Sequence, residues 1–145
     1  MVVYRGLDDP RLSPRPAAVA VGNFAGLHLG HRRILDRLCA VARERRLRSL
    51  VLTFAPHPER ALGRTSVRMI DTPEGRLVRL RETSTDAVVV TAFDPAFARL
   101  GCRDFVERVL RDKLGAREVV VGASFRFGRN RRGGTALLKE LGRRA

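Results

Sequence analysis

Four short apolar runs, each ending in a loop of unusual composition, constrain this chain more than any other feature. They are Val19–Phe24, Leu50–Phe54 (LVLTF), Ala87–Thr91 (AVVVT) and Glu118–Gly122 (EVVVG). Continuous apolar runs of this length read as strands covered on both faces, as in a parallel sheet. Helical patterns separate them. Beyond His31, Ile34, Leu35, Leu38, Val41 and Ala42 make one apolar stripe. Asp71 or Thr72 can cap a helix with Pro73 in its first turn and Leu77, Val78 and Leu80 beyond. Asp104 can cap another, with Phe105, Val106, Val109, Leu110 and Leu114 on one side and Gly115 as its stop. A short helix from Thr135 to Leu141 closes the chain. Residues 1–18, with Pro10, Pro14 and Pro16, read as an extended lead-in. This alternation predicts an α/β fold: one domain over residues 1–145, a mostly parallel sheet and helices on both faces.

In such sheets ligands bind outside the carboxyl ends of the strands, where the strand order reverses. Every unusual segment here lies at a strand's carboxyl end: GNFAGLHLGH, FAPHPE, AFDP and GASFRFGRNRRGG. In the first, Gly22, Gly26 and Gly30 permit close backbone approach, and a helix start follows. Free N–H groups and the helix dipole favour an anion at that place. His28 and His31 straddle the helix start and could donate hydrogen bonds to phosphate oxygens. The alternative is one capping and one solvated histidine. Two histidines could also begin a zinc site, but His57 is the only other histidine and no thiol pattern joins it. Pro56-His57-Pro58 is either a stiff strand exit or a wall for a flat ring. Ser124 to Gly134 alternates aromatic and basic side chains. It reads as phenylalanine packed under a solvated arginine loop, or as a surface that stacks on an aromatic ligand while guanidinium groups meet phosphate.

Net charge is +14, yet Lys113 and Lys139 are the only lysines, and the arginines are spread along the whole chain. That distribution favours small phosphate-bearing molecules over nucleic acid as partners. No apolar run reaches the roughly 18 residues of a membrane span, and the amino terminus lacks the apolar core of a signal peptide. Cys39 and Cys102 match no metal or redox spacing. The expectation is a cytoplasmic protein with reduced thiols.

Taken together, the segments resemble a known family. GNFAGLHLGHRRIL is similar to the G-x-F-D-G-x-H-x-G-H signature of prokaryotic FAD synthetases, the FMN adenylyltransferase module of bifunctional riboflavin kinase/FAD synthetase. TFAPHP resembles the family's T-F-x-P-H-P. DTPEGRLVRL, AFDPAFARL, DFVERVL and VVVGASFRFGRNRRGG follow its later blocks in order. The resemblance implies a Rossmann-like nucleotidyltransferase fold and transfer of AMP from ATP, with Mg2+ as Mg-ATP, to FMN. Gly22, Asn23, Phe24, Gly26 and Gly30 would hold the nucleotide, with His28 and His31 catalytic against its phosphates. Pro56, His57, Pro58, Ser124, Phe125 and Phe127 would form the flavin side, and Arg129 and Arg131 would contact phosphate.

The chain departs from the family pattern at Ala25, Ser124 and Gly134, where the resemblance predicts acidic or amide residues. The family's later serine/threonine-rich block and its riboflavin kinase domain are not in the sequence, which reads as a C-terminally truncated copy. The alternatives to FMN adenylyltransferase are a remnant that binds nucleotide or flavin without turnover, and a nucleotidyltransferase for another phosphorylated substrate.

Overall fold

The computed structural model describes residues 1–55, 63 and 72–145. Its strands are β1 (Val2–Arg5), β2 (Ala17–Val21), β3 (Arg48–Phe54), β4 (Ala87–Thr91) and β5 (Ala116–Val120). They form one parallel sheet in the order β1-β4-β3-β2-β5. The main helices are α1 (Leu29–Arg45), α2 (Pro73–Arg81), α3 (Pro95–Ala98), α4 (Cys102–Asp104) and α5 (Thr135–Arg144). Segment α4 runs on into a π-helix, Phe105–Lys113, where Leu114 N–H bonds to the Val109 carbonyl five residues back.

The expected lead-in contains a strand. Val2–Arg5 pairs with β4 and becomes one edge of the sheet. The other boundaries shift for visible reasons. Strand β2 ends at Val21, not Phe24, because Phe24 adopts left-handed backbone geometry (φ 53°). Strand β5 starts at Ala116, two residues early, because Gly115 turns at φ 69° and passes the chain directly alongside Ala17. A side chain at Gly115 would meet the Arg15 carbonyl oxygen. The cap predicted at Asp104 is made elsewhere: Gly101 starts the helix, and Asp104 sits inside it, paired with Arg108 at 3.8 Å. Helix α2 is capped by Thr72, whose hydroxyl accepts from Gly75 N–H at 3.0 Å. Val78 of that helix is 56% exposed, and Arg76 takes the buried place instead.

Alternation along the strands divides the interior into two layers. Ala18, Ala20, Val51 and Val88 face α1 and α2, together with Leu35, Leu38, Leu77 and Leu80. Val19, Leu50, Leu52 and Val89 face the other way, against Phe105, Val109, Leu110 and Leu138 of the π-helix and α5. The chain steps from β2 to β3 to β4 in one direction, then crosses back to lay β5 on the far side of β2. The strand order therefore reverses between β2 and β5, and the loops that follow those two strands flank the crevice formed there. Among the described residues, no helix is long and apolar enough to cross a membrane.

Candidate functional site at the strand reversal

After β2 the backbone makes a tight, left-handed excursion. Phe24, Gly26 and Leu27 all have positive φ (53°, 71° and 42°). Two of these are large residues in a region that usually needs glycine, and such backbone persists only where its surroundings over-determine it. Here they do. Phe24 and Leu27 are buried to 1% and 3% exposure and pack into the layer beneath α1. Phe24 therefore supports the site from below, its ring edge-on to His31 at 5.4 Å.

His28 caps α1, its Nδ1 accepting the Gly30 N–H at 3.1 Å. That bond assigns the proton of the neutral ring to Nε2, the outward donor. A Cβ at residue 30 would stand 3.0 Å from the His28 ring, so this glycine is what lets the ring fold back over the helix start. His31, one turn on, stacks against His28 with ring centroids 3.6 Å apart and planes at 24°. Two imidazoles thus lie together at the N-terminus of a 17-residue helix, where anions are favoured. The Asn23 Oδ1 atom is buried and has no hydrogen-bond partner among the described residues. A buried acceptor in that condition is costly unless a ligand satisfies it.

Below the turn lies a residue that the sequence did not reveal. Arg76 of α2 is 1% exposed; its Nη1 donates to Thr53 Oγ1 at 3.1 Å and to the Phe54 carbonyl at 2.7 Å. Thr53 Oγ1 in turn donates to the Asn23 carbonyl at 2.9 Å. The only signal in the sequence was an arginine on an apolar helical stripe, a pattern that usually means a solvated side chain.

The loop after β5 is aromatic inside and basic outside. Phe125 is half-buried and stacks on the buried Phe127 at 5.8 Å with planes 10° apart. Phe127 continues through Phe105 (5.5 Å) and Phe97 (6.2 Å) to Phe93 and Phe54. The end of β3, the loop after β4 and the loop after β5 thus share one run of rings. The AFDP segment, expected at the rim, brings Phe93 into this run, followed by Phe97. Ser124, Arg129 and Arg131 are exposed. Arg126 is occupied in holding the loop: its Nε and Nη2 donate to the carbonyls of Arg131 (3.1 Å) and Arg132 (3.3 Å). A Cβ at Gly134 would lie 2.7 Å from Arg126 Nη1, so the guanidinium stands where a side chain at 134 would begin. Pro56, His57 and Pro58 lie outside the described residues. A separate cavity of about 900 Å³ runs along the open edge of β5, and none of the predicted site residues lines it.

The chain matches the FAD synthetase family over residues 11–145. It belongs to the FAD synthetase family. Among relatives named bifunctional riboflavin kinase/FMN adenylyltransferase, it is 35% identical over 151 residues to one from Pseudomonas fluorescens and 33% over 150 residues to one from Escherichia coli K12. A third, from Buchnera aphidicola of Schizaphis graminum, is 29% identical over 143 residues. Each comparison covers 98% of this chain and 46% of the relative, so the chain spans about half the length of these proteins. A solved structure described as a macrolide-efflux protein from Streptococcus pneumoniae shares the fold. Its TM-score is 0.81 at 23% identity, over 97% of this chain and 55% of that one.

Proposed function

We propose that these 145 residues carry an FMN adenylyltransferase module. The phosphate of FMN attacks the α-phosphorus of Mg-ATP in line. The new bond joins that phosphate oxygen to the α-phosphorus; the bond from the α-phosphorus to the bridging oxygen breaks, and magnesium pyrophosphate leaves as FAD forms. The observation that carries this reading is the stacked His28–His31 pair at the start of α1, beside a strand reversal whose other bank is lined with phenylalanine. Family membership and the names of the relatives support it.

In this reading His28 donates from Nε2 to a phosphate oxygen, and His31 lies against the same phosphates. Both stabilise charge that builds on the bridging and equatorial oxygens. Gly22, Gly26 and Gly30 allow the backbone to approach the nucleotide, and Asn23 Oδ1 accepts a hydrogen bond from it. The exposed face of Phe125, with Ser124 beside it, meets the isoalloxazine, and Arg129 and Arg131 meet phosphate. Among the described residues no three His, Cys, Asp or Glu side chains come together as a metal-binding set. In this reading the magnesium ion arrives with ATP, held by its phosphates.

The test is to incubate the purified chain with FMN, ATP and magnesium and to follow FAD and pyrophosphate, with riboflavin replacing FMN as the control. Equal amounts of the two products, and none from riboflavin, support the reading. A second reading, binding without turnover, is favoured by Ala25, Ser124 and Gly134 in place of the family's acidic or amide side chains. Calorimetric binding of ATP or FMN without any FAD would select it.

A further inference from the structure

Arg76, Thr53 and Asn23 form a hydrogen-bond chain with a fixed direction. A guanidinium can only donate and a carbonyl can only accept. The single hydroxyl proton of Thr53 therefore has one place to go, the Asn23 carbonyl, while its oxygen receives the Arg76 N–H. A donor that is charged strengthens the next bond in the chain. The second bond from the same Nη1, to the Phe54 carbonyl, ties this chain to the end of β3. Because the peptide unit is planar and trans, holding the Asn23 carbonyl toward Thr53 turns the Phe24 N–H away from it. That sets the entry to the left-handed stretch through Leu27. Helix α2 also packs directly on the Ala25–Leu27 turn, and Leu77 and Leu80 share a layer with Phe24 and Leu27. Burying a guanidinium among apolar neighbours is expensive, and a leucine would fill the same stripe without that cost. What the arginine adds is a polar anchor for a strained turn.

We propose that Arg76 is a positioning residue for the nucleotide turn: acting through the Thr53 hydroxyl, it fixes the Asn23 carbonyl and with it the backbone that receives ATP. This rests on the adenylyltransferase reading for the identity of the ligand, while the positioning of the turn can be measured without it.

The experiment compares Thr53→Val, Thr53→Ser, Arg76→Met and the double variant Thr53→Val/Arg76→Met in steady-state FAD synthesis. Thr53→Val and Arg76→Met each raise KM for ATP about tenfold, the scale of one lost charge-assisted bond, and leave KM for FMN within about twofold. Thr53→Ser keeps the wild-type value, and the double variant is no worse than either single one, because both remove the same connection. Equal shifts in both KM values, a serine variant as impaired as the valine, or additive losses would overturn the proposal. If Arg76→Met does not fold, the valine–serine pair decides alone. If the wild-type chain makes no FAD, the adenylyltransferase reading fails by itself, and amide hydrogen exchange decides the positioning. Faster exchange across residues 22–27 in Thr53→Val but not in Thr53→Ser supports it, and unchanged exchange overturns it.

Discussion

The turn after β2 rests on the protein's interior, whereas the loop after β5 is anchored there by Phe127 and is otherwise closed on its own atoms. In the first, Phe24 and Leu27 plug into the layer beneath α1, and the Arg76–Thr53 chain grips the backbone from β3. In the second, Phe127 and Gly133 exchange both backbone hydrogen bonds (3.0 and 2.9 Å), and Arg126 closes the loop on the carbonyls of residues 131 and 132. Outward, Arg129 N–H donates to the Leu100 carbonyl at 2.7 Å, Cys102 Sγ to the Phe127 carbonyl at 3.7 Å, and the Phe127 ring packs on Phe105. In the adenylyltransferase reading the difference has a chemical origin. Charge stabilisation on a reacting phosphate needs donors fixed to a fraction of an ångström, which a packed interior supplies. A flat ring needs only a surface, which a self-closed loop provides.

The largest effect separates the two regions most sharply. Replacing His28 by alanine removes an Nε2 donor and the cap of α1 together. FAD synthesis should fall about 10²–10³-fold in kcat, with KM for FMN nearly unchanged. An unaltered kcat would remove His28 from the chemistry and leave it only a cap. Gly133→Ala attacks the other region. Its Cβ would stand 2.6 Å from the Phe127 ring, so the loop must shift or the aromatic run must open. The expected cost is about 1–3 kcal/mol in chemical unfolding, with KM for FMN rising and KM for ATP steady. If KM for ATP moved instead, the two regions would not be divided as described.

A smaller lesion tests the glycine of H-x-G-H. Gly30→Ala places a methyl group 3.0 Å from the His28 ring and pushes the imidazole off the helix start. We expect kcat to fall several-fold, about the worth of one neutral hydrogen bond, while the fold keeps its melting temperature within a few degrees. A variant with wild-type kcat would mean that the ring's position over Gly30 does not matter to catalysis.

How much of this was legible follows the same division. The strand runs LVLTF and AVVVT, the stripe of α1 and the crowding of odd loops at one rim could be read from periodicity and glycine placement. They depend on neighbours near in sequence. Val2–Arg5 (VVYR) carries strand-forming residues but is only 4 residues long, and its partner, β4, is some eighty residues away, so no local periodicity marks it as a strand. Arg76 was hidden for a related reason: its acceptors, Thr53 and Phe54, lie on another element, and only the packing of α2 against the turn brings them within reach. Histidines and glycines announce themselves by type; the residues that hold them announce themselves only in three dimensions.

The smallest expected effect lies outside both regions and serves as their control. In the loop after β1, Asp9 accepts from the Arg11 side chain (2.7 and 3.1 Å) and from the backbone N–H groups of Arg5 (2.8 Å) and Arg11 (3.0 Å). These bonds, the Arg11 side chain's first, hold its carboxyl well below the usual carboxylate range. A carboxyl whose folded value is depressed contributes stability that is fully present above its unfolded value of about 3.9 and is lost as pH falls toward the folded one. Asp9→Asn removes that dependence. The difference in unfolding free energy between wild type and variant should be constant above about pH 5 and should shrink as pH falls below about 4. Both KM values at neutral pH should stay put. A variant that instead shifted KM for ATP would show that the loop after β1 reaches the nucleotide turn through β4 and β3, and the turn would then depend on more of the sheet than Arg76 and Thr53 alone.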